Sequence, residues 1–88
     1  MTAYVDALKP CLRSARWRHD ESCHLLADSE EELVSFASRI GLRPSWVQRG
    51  KLVHFDLTEG KRRVAVASGA VEVGDRFVAE RLRGERRP

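Results

Sequence analysis

The stretch CHLLADSEEELVSFASRIG, Cys23 to Gly41, constrains the fold more than any other part of the chain, because it places a strand signal directly before a fully bounded helix. Cys23-His24-Leu25-Leu26-Ala27 is short and apolar enough for a buried strand. Ser29 then stands as N-cap with Glu32 three residues on, which is a capping box, and Asp28, Glu30 and Glu31 put negative charge at the positive end of the helix. Leu33, Phe36, Ala37 and Ile40 recur at i, i+3, i+4 and i+7, so they line one face, and Gly41 supplies the stop. A strand feeding an amphipathic helix needs a sheet for that helix to lie on.

The rest of the chain offers the remaining elements. Ala3-Tyr4-Val5 reads as a short strand ending at Asp6, and Lys9 to Glu21, with Pro10 and scattered charges, as a loop. Pro44, Trp46 and Gly50 make Leu42 to Lys51 a loop or a short turn of helix, and Leu52 to Leu57 is a third strand. Thr58 caps a second helix carrying Val64, Ala65 and Ala67 and ended by Gly69; Ala70 to Val73 is a fourth strand, and Asp75 caps a third helix through Leu82. The expected fold class is α/β: a small single-domain sandwich, its short sheet mixed or mostly parallel and packed with about three helices. Residues 1–82 form the domain and 83–88 a frayed basic tail.

Length and composition limit the rest. A chain of 88 residues buries about two thirds of the surface its unfolded form exposes, which suits one domain and excludes a second. No apolar run approaches the roughly 18 residues of a membrane span. The start of the chain lacks the basic and apolar regions of a secretion signal, so a cytoplasmic protein is expected. Cys11 and Cys23 are too few for a disulfide scaffold and are expected as thiols. Asp20 to Ser38 holds six acidic residues and no Lys or Arg, whereas Arg39 to Arg63 holds seven basic residues against Asp56 and Glu59. Such blocks suit an anionic partner or, as readily, the solvation of helix faces.

If the later strands ran parallel, their carboxyl ends would meet at one sheet edge, where ligands collect in open α/β folds. Asp6, Asp28 and Asp56 would fall there. His24 and Asp28, four apart in extended chain, share a face, as do His54 and Asp56, two apart. Two imidazoles and two carboxylates are ligand types for zinc, manganese or iron, with a metal-bound water as the reactive species. The same residues read equally as a helix cap, a core histidine and a hydrogen-bonded loop pair, since no HExxH or CxxC motif is present. Lys61 and Arg62, with Arg63, open the second helix, where backbone amides and the macrodipole favour an anion such as phosphate, although no Walker loop exists. Trp46 and Gln48 offer a stacking surface and a polar edge for a base or ribose, and Trp17 lies among Arg13, Arg16 and Arg18 in a pattern suited to nucleic acid. Cys23 and His24 are strand neighbours facing opposite ways and make no nucleophile-base pair.

The runs CHLLADSEEELVSFASRIGLRPSWVQ and HFDLTEGKRRVAVASGAVEV resemble the small bacterial and phage proteins of domain-of-unknown-function family 4031. The resemblance spans about Tyr4 to Leu82 and picks out His24, Asp28, Trp46, Gln48, His54, Asp56, Lys61 and Arg62. The sequence departs from the family pattern at Phe55, where tyrosine is usual, and at Val47, where an aromatic is usual. The family implies no established activity. The expected function is binding of a phosphorylated ligand such as a nucleotide, with Lys61 and Arg62 on phosphate and Trp46 and Gln48 on base or ribose. His54 and Asp56 are the catalytic candidates if the domain also hydrolyses a phosphoester; a divalent metal on His24, Asp28, His54 and Asp56 is the cofactor considered. The alternative is a nucleic-acid or host-protein interaction module using the basic face, and a homodimer is open in either case.

Overall fold

A computed structural model describes residues 2–83. The elements follow as β1 (Ala3–Val5), β2 (Lys9–Pro10), β3 (Glu21–Ala27), α1 (Glu30–Arg39), a 3-10 turn (Pro44–Trp46), β4 (Phe55–Leu57), α2 (Glu59–Ala67), β5 (Val71–Glu72) and α3 (Asp75–Leu82). The result is a compact α/β domain with a five-strand mixed sheet and three helices. The basic tail expected over 83–88 lies, but for Arg83, outside the described residues.

The helix boundaries obey their local chemistry. The Ser29 hydroxyl accepts from the Glu32 amide at 3.1 Å, and the Thr58 hydroxyl accepts from the Lys61 amide at 3.2 Å. Each satisfies an amide that has no partner inside its own helix. After α1 and α2 the chain turns through Gly41 and Gly69 at φ +90° and +108°, a region that a Cβ disfavours. The third helix differs from the expectation: Gly74 is its N-cap, without a side-chain bond, and Asp75 is its first residue.

β3 is the centre of the sheet. Leu25 faces Val5 on one side and Phe55 on the other, so β1 and β4 flank β3, both antiparallel to it. β5 pairs with β1 in parallel. The expectation of parallel later strands therefore holds only between β1 and β5. β4 and β5 do run in the same direction, and α2 crosses over β3 and β1 to join them.

The third strand is shorter than Leu52 to Leu57. Gln48 and His54 instead exchange backbone hydrogen bonds at 2.8 and 3.0 Å, closing a loop around Gly50 before β4 begins. The segment expected as a loop from Lys9 contains β2, which pairs with the start of β3. Val5 faces Leu25 but Lys9 faces Ser22, so one strand advances four residues while the other advances three. The extra residue is a β-bulge between β1 and β2.

Alternation along the strands gives the sheet two unlike faces. Val5, Cys23, Leu25, Phe55 and Leu57 join Leu33, Phe36, Ala37 and Ile40 of α1 and Ala65 of α2 in the core. Val64, counted with the apolar residues of α2, is exposed. The opposite face carries Tyr4, Leu26, His24 and Asp56. α3 covers the Tyr4 half of it: the Phe77 and Tyr4 ring centroids are 4.7 Å apart, and the Arg81 guanidinium lies over both rings. The half bearing His24 and Asp56 stays partly open.

Candidate metal centre and adjoining cleft

His24 and Asp56 are direct cross-strand partners, so strand register alone puts their side chains side by side. His54, two residues before Asp56, shares that face. The His24 and His54 ring centroids are 5.0 Å apart at 74°, edge to face. His54 Nε2 lies 3.4 Å from Asp56 Oδ1, and the Gln48 amide donates to Asp56 Oδ2 at 2.5 Å.

Asp6 completes the arrangement from the bulge. Its carboxylate accepts from the His24 backbone N–H at 2.6 Å and from His24 Nδ1 at 2.7 Å. The bulge opens the ladder here, and the side chain takes the place of a strand carbonyl. Asp6 is the one buried charged residue among the described residues, at 1% exposure. Burial pushes its carboxyl upward more than any other single influence, but the two His24 hydrogen bonds and the nearby charges of His24 and Lys9 together hold it below the ordinary value. It is therefore ionised at neutral pH and accepts from His24 Nδ1–H, which leaves Nε2 as the ring nitrogen that faces outward.

His54 is oriented in the same way. Its Nδ1 donates to the Leu52 carbonyl at 2.9 Å, which turns Nε2 toward Asp56. The Asp56 hydrogen bond raises the His54 pKa; burial opposes this, and the Leu52 carbonyl and the charges of Asp56 and Asp6 add to it. Ligand atoms of His24, His54 and Asp56 all lie within 4.8 Å of one another. These three residues could hold a metal ion, or serve as a proton-transfer cluster.

Asp28 is not brought to this group. Four residues of strand separate it from His24 by about 13 Å, and because β3 is antiparallel to both neighbours its end lies opposite the ends of β1 and β4. There Asp28 accepts from Arg81 at 2.9 Å and from the Tyr4 hydroxyl at 3.0 Å, tying α3 to the sheet. The Arg81 hydrogen bond is what holds its carboxyl below the ordinary range.

A cleft of about 760 Å³ borders Asp56 and is lined in part by Arg16, Trp17, Trp46, Gln48, Arg49 and Lys61. That volume is within the range of roughly 300–1,000 Å³ usual for small-molecule sites. Trp46 is 54% exposed, with the Arg43 guanidinium over its ring. Lys61 donates to the Ile40 carbonyl at 2.6 Å, capping the end of α1, and two of its three N–H donors remain. Arg62 is not part of the cleft: Nε donates to the Asp6 carbonyl at 2.8 Å and Nη2 to Glu72 at 3.0 Å, so it braces the bulge. Arg16 and Arg18 have no hydrogen-bond or ion-pair partner among the described residues.

Both cysteines are free thiols. Cys23 is on the core face, away from the His24 side chain, and burial, followed by the Asp6 charge, pushes its thiol up to about 11. That excludes a resting thiolate at neutral pH. No helix of the described residues is long and apolar enough to cross a membrane.

Sequence reasoning thus nominated His24, His54, Asp56 and Gln48, which the fold brings together, and Trp46 and Lys61, which border them. It counted Asp6 only as an edge carboxylate. The Val-Asp step at the end of β1 is the one local hint, because the register of β1 on β3 that sets Asp6 across from His24 is not written in either segment alone.

No curated protein and no solved structure matches this chain. A family model matches residues 3–85, nearly the whole length, and the chain belongs to the family described as "Protein of unknown function (DUF4031)".

Proposed function

We propose that this domain binds a phosphorylated small ligand of the nucleotide class in the cleft beside Asp56 and hydrolyses its phosphoester bond. The observation that carries the reading is the composition of the cleft: two indoles, three cationic side chains and the Gln48 amide surround a space of ligand size that ends at a carboxylate. Indole faces suit a base, because stacking on an aromatic ring is favourable for any of them. Arg16, Arg49 and Lys61 suit a phosphate, and Arg16 is free of acidic partners. This assigns phosphate to Lys61 and Arg16 rather than to Arg62. In the metal-free site His54 and Asp56 are the acid-base pair: the attacking water forms the new P–O bond and gives its proton to the pair, and the leaving oxygen departs with a proton returned by it.

The two tryptophans of the chain, Trp17 and Trp46, both line the cleft, so intrinsic fluorescence reports on it directly. Titration with nucleoside mono- and diphosphates should quench the emission saturably, and Trp46→Leu should remove most of that response. His54→Gln should bind but release no phosphate or nucleoside. Absence of saturable quenching across the panel, together with tight, steeply salt-dependent binding of an oligonucleotide, would favour the nucleic-acid module instead. The partnerless Arg16 and Arg18 are the observation on that side.

A further inference from the structure

We propose that His24 Nε2, His54 Nε2 and a carboxylate oxygen of Asp56 form a binding site for a single first-row divalent metal ion, with Asp6, the Leu52 carbonyl and Gln48 as its outer supports. Two ligands of one such ion, each about 2.0–2.2 Å from it, stand about 3–3.5 Å apart. Each of the three residues already offers a ligand atom within 4.8 Å of those of the other two, so small side-chain rotations close the site. His24 and Asp56 are cross-strand partners on the sheet, and the exchanged backbone hydrogen bonds between His54 and Gln48 fix the third ligand. Ligands on strands are held more closely than ligands on free loops.

The outer contacts distinguish this group from a chance cluster. A histidine that ligates through Nε2 needs its proton on Nδ1 and an acceptor to hold that N–H. Both histidines meet the requirement, one with a buried carboxylate at 2.7 Å and the other with a backbone carbonyl at 2.9 Å. Asp56 has one oxygen held by Gln48 at 2.5 Å and the other facing His54. Every candidate ligand is therefore oriented by a separate group. In a purely structural network the free Nε2 of His24 has no evident task, and no hydrogen-bond partner for it is found among the described residues.

The donor set predicts the ion. Two imidazoles and one carboxylate, with no thiolate, suit zinc, iron(II), cobalt(II) or manganese, with positions left for water or substrate. The neighbouring thiol, Cys23, is on the opposite face of the sheet and takes no part.

The test does not depend on the nucleotide reading, because it is run without nucleotide. Tag-free protein, stripped with chelator, is titrated with cobalt(II), followed by visible absorption, and with zinc, followed by calorimetry. One equivalent should bind. His24→Gln and His54→Gln should each weaken binding at least 100-fold, Asp6→Asn by about 10–100-fold, the usual cost of losing an outer-shell partner, and Asp28→Asn should leave it unchanged. Circular dichroism of each variant establishes that it is folded; should His24→Gln fail to fold, His54→Gln and Asp56→Asn decide the matter. No saturable binding of either ion by the wild type, or equal affinity in folded His54→Gln and Asp56→Asn, overturns the proposal.

Discussion

Removing the Asp6 carboxylate should separate its structural role from its orienting one. The carboxylate accepts two hydrogen bonds from His24 and is almost fully buried. In Asp6→Asn the amide oxygen can still accept the His24 backbone N–H, but the NH₂ group then faces ring Nδ1. The ring answers by moving its proton to Nε2. A charge-assisted bond becomes a neutral one, at a cost of about 1–2 kcal/mol. In Asp6→Ala a buried backbone N–H and a ring N–H lose their acceptor and a void is left, costing about 3–5 kcal/mol. At roughly 0.05–0.15 kcal/mol per residue a domain of this size has about 4–13 kcal/mol in total, so the alanine variant sits near the limit of folding and the asparagine variant does not. Urea denaturation at pH 7 gives the stabilities, and ¹⁵N NMR of the imidazole gives the tautomer. The folded-state pKa of Asp6 lies below its unfolded value of 3.8, so its stabilisation is complete above that value and disappears as pH falls through the folded one. The wild type should therefore lose more stability than Asp6→Asn below about pH 4. An alanine variant destabilised by less than about 1 kcal/mol, or an asparagine variant with His24 still protonated at Nδ1, would refute the reasoning.

Two further outcomes are expected. The folded-state pKa of His54 is raised above 6.5, so its contribution to stability is complete below that value and is lost as pH rises through the folded one; in chelator, His54→Gln should show a flatter stability profile from about pH 6.5 upward, measured by thermal melts across pH. Gly41→Ala places a Cβ at φ +90°, and 2.9 Å from Lys61 Nζ, so it should cost about 1–2 kcal/mol in urea denaturation and disturb the Lys61 cap. Its effect should not add to that of Lys61→Met, since both act on the end of α1.

What could be read in the sequence was whatever local chemistry decides. Ser29, Glu32 and Gly41 bound α1, Thr58 and Gly69 bound α2, and each works through contacts only a few residues long. The pairing of strands is a different kind of fact. Nothing in Phe55–Leu57 states that it lies antiparallel to Cys23–Leu25, yet that pairing decides which carboxylate meets His24. Period-two alternation put His24 and Asp28 on one face correctly, but sharing a face is not proximity, and the length of strand between them removes Asp28 from the group. Lys61 and Arg62 show a related limit: a basic residue at a helix start suits an anion, and here the nearest acceptors are a helix-end carbonyl and the carbonyl of Asp6.

The position of the polar group follows from the size of the domain. With one sheet and 88 residues, the apolar side chains suffice to fill the face under α1 and α2, and the two-turn helix α3 covers only the Tyr4 half of the other. A hydrophobic side chain on the remaining half would sit in water, whereas His24, His54 and Asp56 can be half exposed there at little cost. The bulge then has a specific consequence. It leaves the His24 backbone N–H to the Asp6 carboxylate, which also holds ring Nδ1, so one end of the ring is fixed from within the sheet while the other faces outward. The same extra residue that interrupts the ladder leaves that N–H to a side-chain acceptor, so a solvated strand face becomes one with oriented ligands.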